Sequence, residues 1–202
     1  IDYDINNNMI SETRYHLNFG SDDWDTYSTD LYNYDLNGNL IEKHEVDNEL
    51  ESQGYFKKTF FKYDINNNLI EKVYGLINNE GEYYKGKKYT DLRYKYDSNN
   101  NEIQYNSYKN DTLSYQYLKE YDRNNNMINR IELDNNGKEK GKMLYEYDEN
   151  NNETKFIYYY GSTLKSSTVY TYNSKNHLIE EIYIEGDQQQ YKYKTTYLYE
   201  YY

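Results

Sequence analysis

One segment recurs along this chain, and it constrains the fold more than anything else in the sequence. A strand ending in an aromatic-x-Tyr-Asp pattern is followed by an asparagine-rich tetrapeptide and an apolar pair. The copies run Tyr3-Asp4 to Ile10, Tyr34-Asp35 to Ile41, Tyr63-Asp64 to Ile70 and Tyr96-Asp97 to Ile103. They continue with Tyr121-Asp122 to Ile128, Tyr147-Asp148 to Thr154 and Tyr172-Asn173 to Ile179. Tyr199-Glu200-Tyr201 looks like the first half of an eighth unit. Spacings between the marked tyrosines are 31, 29, 33, 25, 26 and 25 residues, then 29 to Tyr201. Periods of roughly 20–50 residues signal arrays, propellers or solenoids.

Each unit reads as two strands. Tyr32 and Tyr34 alternate with Leu31 and Asn33, and Phe61, Tyr63, Tyr94, Tyr96, Tyr145, Tyr147, Tyr170 and Tyr172 repeat the phase. A period of two is the strand signature. The asparagine stretch between the strands is a turn. Asp bonds to backbone amides two residues on, and Asn tolerates a left-handed backbone. Asn or Gly stands three after the aspartate in every copy: Asn7, Gly38, Asn67, Asn100, Asn125, Asn151 and Asn176. A three-residue loop places Tyr34 beside Leu40; a four-residue loop places it beside Ile41. The position of Ile41 is Ile in six of seven copies, with Thr154 the exception, whereas that of Leu40 holds Met, Leu or Glu. A buried face needs consistent apolar residues. The four-residue loop is therefore the expectation, with Tyr and Ile sharing an inner face.

Second turns lie between units, among them Asn78 to Gly81, Lys109 to Asp111, Asp134 to Lys138 and Glu185 to Asp187. The longest insertions are near Phe19 to Thr29, Asp47 to Gly54 and Leu76 to Lys88. The predicted fold is all-β: an antiparallel meander of repeated β-hairpins, about 14–15 strands, in one domain spanning residues 1–202. A twisted open sheet of more than ~10 strands tends to curl, split or close, so a curled or coiled sheet is expected.

Composition narrows the alternatives. Leu, Ile, Val and Phe make up less than a fifth of the chain, and the formal charge is −12. That combination belongs to disordered chains. The 32 tyrosines reverse the assignment, because Tyr carries a large apolar ring and favours strands. Alanine is absent, which disfavours a helical protein. A pI near 4.7 argues against nucleic-acid binding. No apolar run approaches the ~18 residues a membrane helix needs, so no membrane insertion is expected. Without cysteine there are no disulfides or thiolate metal sites. The first residue is Ile and no signal peptide is visible, so the chain reads as a trimmed piece.

The unit Tyr32 to Ile41, Tyr-x-Tyr-Asp-x-Asn-Gly-Asn-Leu-Ile, resembles the YD repeat of the RHS family. The resemblance covers the strand-turn-strand core of every copy. It implies a bacterial β-hairpin building block whose copies coil into a hollow shell around a toxin or form cell-surface structures, with any chemistry in an attached domain. Asn replaces the usual turn Gly in six of seven copies, and the family's common Gly-Arg pair is absent. A weaker similarity, at Gly86-Lys87-Lys88-Tyr89, is to the aromatic hairpin repeats of cell-wall-binding modules. Those repeats rely on Trp, and this chain has only Trp24.

Candidate chemistry is sparse. Asp35, Asn37 and Asn39 match the first half of a calcium loop. No copy supplies the twelfth-place Glu, and Asp-Asn-Gly clusters are common turn chemistry. His16, His44 and His177 fall at unrelated phases, so no catalytic base or zinc site is expected. No cofactor motif is found, and adjacent acids such as Glu180-Glu181 point to opposite faces of a strand. Trp24, Tyr27, Tyr83 and Tyr84 are the candidate ligand contacts, weighed against plain packing. The expected role is a non-catalytic, secreted or cell-surface repeat scaffold, part of a longer repeat chain, that binds or encloses a protein or glycan. The alternatives are a carbohydrate-binding module using exposed tyrosines and a hydrolase with a non-sequential carboxylate site.

Overall fold

The aspartate of each copy builds its own turn. In the computed structural model, which describes residues 1–17, 24–86, 88–186 and 191–199, the Asp35 amide donates to the Asn39 carbonyl at 2.9 Å and the Gly38 amide to the Asp35 carbonyl at 3.1 Å. Asp35 Oδ1 accepts from the amides of Asn37 at 2.9 Å and Asn39 at 2.8 Å, and Oδ2 accepts from Asn39 Nδ2 at 3.0 Å. The same three side-chain bonds recur at Asp4, Asp64, Asp97, Asp122 and Asp148. Bonding to the partner asparagine holds these carboxyls below the usual aspartate range. The third residue after the aspartate is left-handed throughout, at φ +82° for Gly38 and between 60° and 66° for the six asparagines.

This geometry overturns the expected loop length. Tyr34 pairs with Leu40, and Asn33 pairs with Glu42, so Ile41 sits in a one-residue slip. Tyr3, Tyr63, Tyr121, Tyr147 and Tyr172 pair in the same way with Met9, Leu69, Met127, Glu153 and Leu178. One carboxylate can bridge the second and fourth amides only when the fourth residue closes the loop. The turn bonds therefore set the register over the consistency of the isoleucines. Tyr34 and Ile41 are not cross-strand neighbours, and Ile10, Ile41 and Ile128 keep 36–38% of their surface exposed.

The strands follow in chain order. β1 (Asp2–Tyr3), β2 (Met9–Leu17), β3 (Trp24–Tyr34) and β4 (Leu40–Val46) precede one helical turn, α1 (Asn48–Ser52). Then come β5 (Phe56–Tyr63), β6 (Leu69–Ile77), β7 (Thr90–Tyr96), β8 (Glu102–Lys109) and β9 (Thr112–Tyr121). The rest are β10 (Met127–Asp134), β11 (Glu139–Tyr147), β12 (Glu153–Tyr160), β13 (Thr163–Tyr172), β14 (Leu178–Glu185) and β15 (Tyr191–Thr196). Each pairs with its sequence neighbour in one 15-stranded antiparallel meander that does not close on itself. The connections between copies use the same devices: Asp134–Lys138 repeats the aspartate turn, and Asn110-Asp111, both at positive φ, make a two-residue reversal. α1, which nothing in the strand pattern foreshadows, is capped by Asp47, whose Oδ1 accepts from the Leu50 amide at 3.2 Å.

Two ladders join successive copies. The hydroxyl of the Tyr-Asp tyrosine donates to the carbonyl of the residue facing the preceding copy's tyrosine. Tyr34 reaches Met9, Tyr63 reaches Leu40 and Tyr121 reaches Glu102; Tyr147, Tyr172 and Tyr199 reach Met127, Glu153 and Leu178, all at 2.9–3.0 Å. Tyr199, 27 residues after Tyr172, thus holds the repeat position of the eighth unit, in place of the Tyr201 spacing expected from sequence. The second ladder is made of asparagine. Asn39 donates to Asn67, Asn101 to Asn125, Asn126 to Asn151 and Asn152 to Asn176, at 2.9–3.3 Å. Asn67, Asn125, Asn151 and Asn176, standing in place of glycine, therefore supply both the left-handed turn and an acceptor for the neighbouring copy.

The chain divides into two compact units, residues 1–94 with 106–113, and residues 95–105 with 114–202. Among the described residues only Val73 and Ile77 are buried apolar side chains, so stability rests on half-buried faces rather than a dry core. No described helix is long and apolar enough to cross a membrane.

Candidate partner-binding face

Strand register sorts the side chains of the second unit by chemistry. One face carries aliphatic cross-strand pairs: Leu118 with Ile131, Leu144 with Ile157 and Val169 with Ile182. The other carries aromatic rings and acids: Tyr117 opposite Glu132, Tyr145 opposite Phe156, Tyr147 opposite Glu153 and Tyr170 opposite Glu181. The rings touch in groups, with Tyr105, Tyr115 and Tyr117 mutually 5.5–5.9 Å apart, Tyr145 at 5.3 Å from Phe156 and Tyr183 at 6.1 Å from Tyr193. Tyr160 and Tyr193 are more than half exposed. Arg130 lies over the Tyr117 ring at 4.0 Å, beside Gly141, where an added Cβ would meet the Tyr159 carbonyl at 3.3 Å.

Carboxylates on this face fare differently. Glu102 receives Lys119 Nζ at 2.6 Å, and Glu132 pairs with Lys140 at 3.4 Å. Glu153 is half-buried, and burial raises its carboxyl above the ordinary glutamate range. Among the described residues no hydrogen bond or ion pair reaches that carboxylate.

In the first unit the tyrosine-bearing side is more charged. Buried Asp30 takes Lys43 at 3.1 Å and Arg14 at 3.7 Å. On the opposite face the segment after β6 folds back and Tyr83 packs on Gly75, where a Cβ would stand 2.7 Å from the ring. Under it Val73, Ile77 and Asp91 are buried. Burial pushes the Asp91 carboxyl up, but bonds from Arg93 at 2.8 Å and Lys88 at 3.3 Å pull it below its usual range. A recess of about 460 Å³ beside this lid is lined by Ile41, Phe60, Glu71, Val73 and Tyr83.

The sequence candidates fall on separate elements. Trp24 and Tyr27 stand on β3, 66% and 72% exposed; Tyr27 occupies a bulge with its ring 6.3 Å from His16. Tyr83 serves the lid, and Tyr84 packs edge-on against Tyr55 at 4.9 Å. No ring contact joins the two pairs among the described residues. Asp35, Asn37 and Asn39 form the turn above, and both Asp35 carboxylate oxygens accept N–H donors there. Phe19, Asp22, Asp23, Lys87, Asp187, Glu200 and Tyr201 lie outside the described residues. Sequence reasoning missed Glu153, although a signal existed: Glu153-Thr154 is the one pair of the seven copies with no apolar residue, Glu102-Ile103 keeping its isoleucine.

The architecture defines an all-β array of hairpin repeats paired edge to edge in one antiparallel sheet. No family model and no curated protein matches the sequence. Among solved structures the chain is similar to the crystal structure of TcdB2-TccC3, with a TM-score of 0.52 and 14% identity over 96% of this chain and 12% of that one. The TcdB2-TccC3 structure without its hypervariable C-terminal region matches with a TM-score of 0.51, again at 14% identity, over 96% of this chain and 11% of the other. The Photorhabdus luminescens Tc holotoxin pore gives a TM-score of 0.47 at 14% identity, over 84% of this chain and 9% of that one. The chain thus spans about an eighth of the length of the first of these, and identity this low shows a shared fold alone.

Proposed function

We propose that this chain is a non-catalytic repeat scaffold, in a secreted or cell-surface protein, that presents its tyrosine face to a protein or glycan partner. One observation carries the reading. The side chains that recur in every copy are engaged in building turns and joining copies, through the tyrosine and asparagine ladders. What those contacts leave over is one face on which an aromatic recurs two residues before the marked tyrosine in five of the seven copies while the acids, lysines and further rings around it differ, and variation of that kind is how a repeat surface acquires a specific partner. The fold shared with a segment of TcdB2-TccC3 supports placing the chain within a longer repeat array.

A glycan array and a panel of extended peptides, probed with the purified chain, test this. The expected outcome is saturable binding without turnover of the ligand, weakened at least tenfold by Tyr183→Ser with Tyr193→Ser. Glycan binding alone would select the carbohydrate-binding reading, for which the exposed Tyr160 and Tyr193 rings speak. Turnover of a bound ligand, or equal binding by the tyrosine variants, overturns the scaffold reading.

A further inference from the structure

In seven places an aromatic or lysine side chain stands two residues before the Tyr-Asp tyrosine. These are Tyr32, Phe61, Tyr94, Lys119, Tyr145, Tyr170 and Tyr197. The tyrosines that follow six of them, Tyr34, Tyr63, Tyr121, Tyr147, Tyr172 and Tyr199, reach back to the preceding copy, where the contacted residue is Met9, Leu40, Glu102, Met127, Glu153 or Leu178. An aromatic side chain above Met or Leu is an apolar match. Where the lower residue is Glu102, the upper one is Lys119, and the two meet at 2.6 Å. That pair shows that a side chain from the upper position reaches the carboxylate below it. Glu153 breaks the pattern: the upper residue of its pair is Tyr170, so the site holds a carboxylate without the lysine.

We infer that Glu153, with the rings of Tyr145, Tyr147, Tyr170 and Tyr172, forms a binding site for an organic ammonium group such as a lysine side chain of a partner. Tyr147 faces Glu153 directly across the strand pair. Tyr172 crosses to the Glu153 carbonyl at 3.0 Å. Tyr145 and Tyr170 occupy the adjacent positions of β11 and β13 on the same face. Aromatic rings around a carboxylate suit a cation with an apolar envelope, since the ring faces and the carboxylate attract the charge together. None of the nearby cations makes an ion pair with Glu153 among the described residues: Arg130 lies over the Tyr117 ring, with its charge also felt at Tyr145, Lys155 meets Glu146 at 3.4 Å and Lys140 meets Glu132. The inference rests on the tyrosine face being the binding side and names the chemistry it takes.

Tetramethylammonium chloride, titrated into the full chain against sodium chloride of equal ionic strength, is the test. Ring resonances of Tyr145 and Tyr170 are expected to shift saturably with tetramethylammonium and not with sodium. Glu153→Leu restores the residue found at Leu40, Leu69 and Leu178, so it folds, and it should weaken binding at least tenfold. Tyr170→Lys recreates the pair made by Lys119 with Glu102; it should abolish binding while raising the melting temperature. Glu102→Gln should leave the affinity within twofold. Equal shifts with the two salts, or unchanged affinity in Glu153→Leu, overturn the site. Either result leaves peptide or glycan binding by the rest of the face intact, so this failure and that of the scaffold reading can be told apart.

Discussion

Replacing Asn151 by Gly separates the two roles of the turn asparagines. The residue sits at φ +64°, where Gly is at least as comfortable. On backbone grounds the substitution relieves strain in the folded chain and adds freedom to the unfolded one, and these effects oppose each other. The side chain adds something else: its Oδ1 accepts from Asn126 Nδ2 at 2.9 Å and Asn124 Nδ2 at 3.0 Å. Both bonds are exposed, so each belongs at the low end of the net range, about 0.5 kcal/mol, or about 1 kcal/mol for the pair. Asn7, at φ +65°, supplies the control, because no bond to its side chain is found among the described residues. Asn151→Gly should therefore lose about 1 kcal/mol more than Asn7→Gly, which corresponds to a midpoint about 2–4 °C lower for a chain of this size. Urea melts followed by circular dichroism measure the difference. Equal losses in the two variants would mean that the asparagine ladder contributes nothing and that turn conformation alone explains the residue.

Three further outcomes follow from the same contacts. Tyr147→Phe removes the hydroxyl that reaches the Met127 carbonyl at 3.0 Å and should cost about 1 kcal/mol in urea melts, whereas Tyr3→Phe should be neutral. Gly38→Asn should be tolerated, because at φ +82° the new Cβ meets only Asn8 Oδ1 at 3.9 Å; Gly38→Ala should lose about 1 kcal/mol at the same left-handed position, measured by thermal melts. The turn aspartates titrate below their unfolded value because amides and asparagine side chains bond to the charged form. Their stabilisation is complete above the unfolded pKa of about 3.9 and drains away as pH falls through the lower folded value. Urea midpoints should thus fall from about pH 5 down to about pH 2, and a flat profile contradicts the turn account.

The hairpins were legible because the strand period and the turn residues are local. Tyr32 and Tyr34 announce a strand, and Asp35 with Gly38 announces its reversal, without reference to any distant residue. The loop length was not, because two local signals conflict: Ile recurs where a four-residue loop would bury it, while the Asp35 carboxylate needs Asn39 to close the turn. The Tyr63 hydroxyl on the Leu40 carbonyl lay beyond sequence reading for a different reason. It depends on how one copy lies against the previous one, which no spacing encodes. Glu153 could have been found, since its neighbours in the alignment of copies are Met and Leu, but only the contact of Lys119 with Glu102 shows what that position faces.

The departures from the glycine-bearing repeat then acquire a physical reason. A sheet wet on both faces has little apolar burial to hold its register, and a one-residue slip would exchange one face for the other. Here register is held at the turn ends. Asp64 fixes one hairpin, Asn39 on Asn67 ties it to the previous copy, and Tyr63 on Leu40 closes the same junction from the strand side. Gly at position 67 would keep the turn and lose one tie. Because the tyrosine tie is taken by a backbone carbonyl, the side chain at the tied position is free to vary, as the exchange of an apolar pair for Glu102 and Lys119 shows. Variation confined to one face of a register-locked sheet is what allows Glu153 to stand unpaired without disturbing the hairpins around it, since Tyr172 still reaches its carbonyl and Asn152 still reaches Asn176.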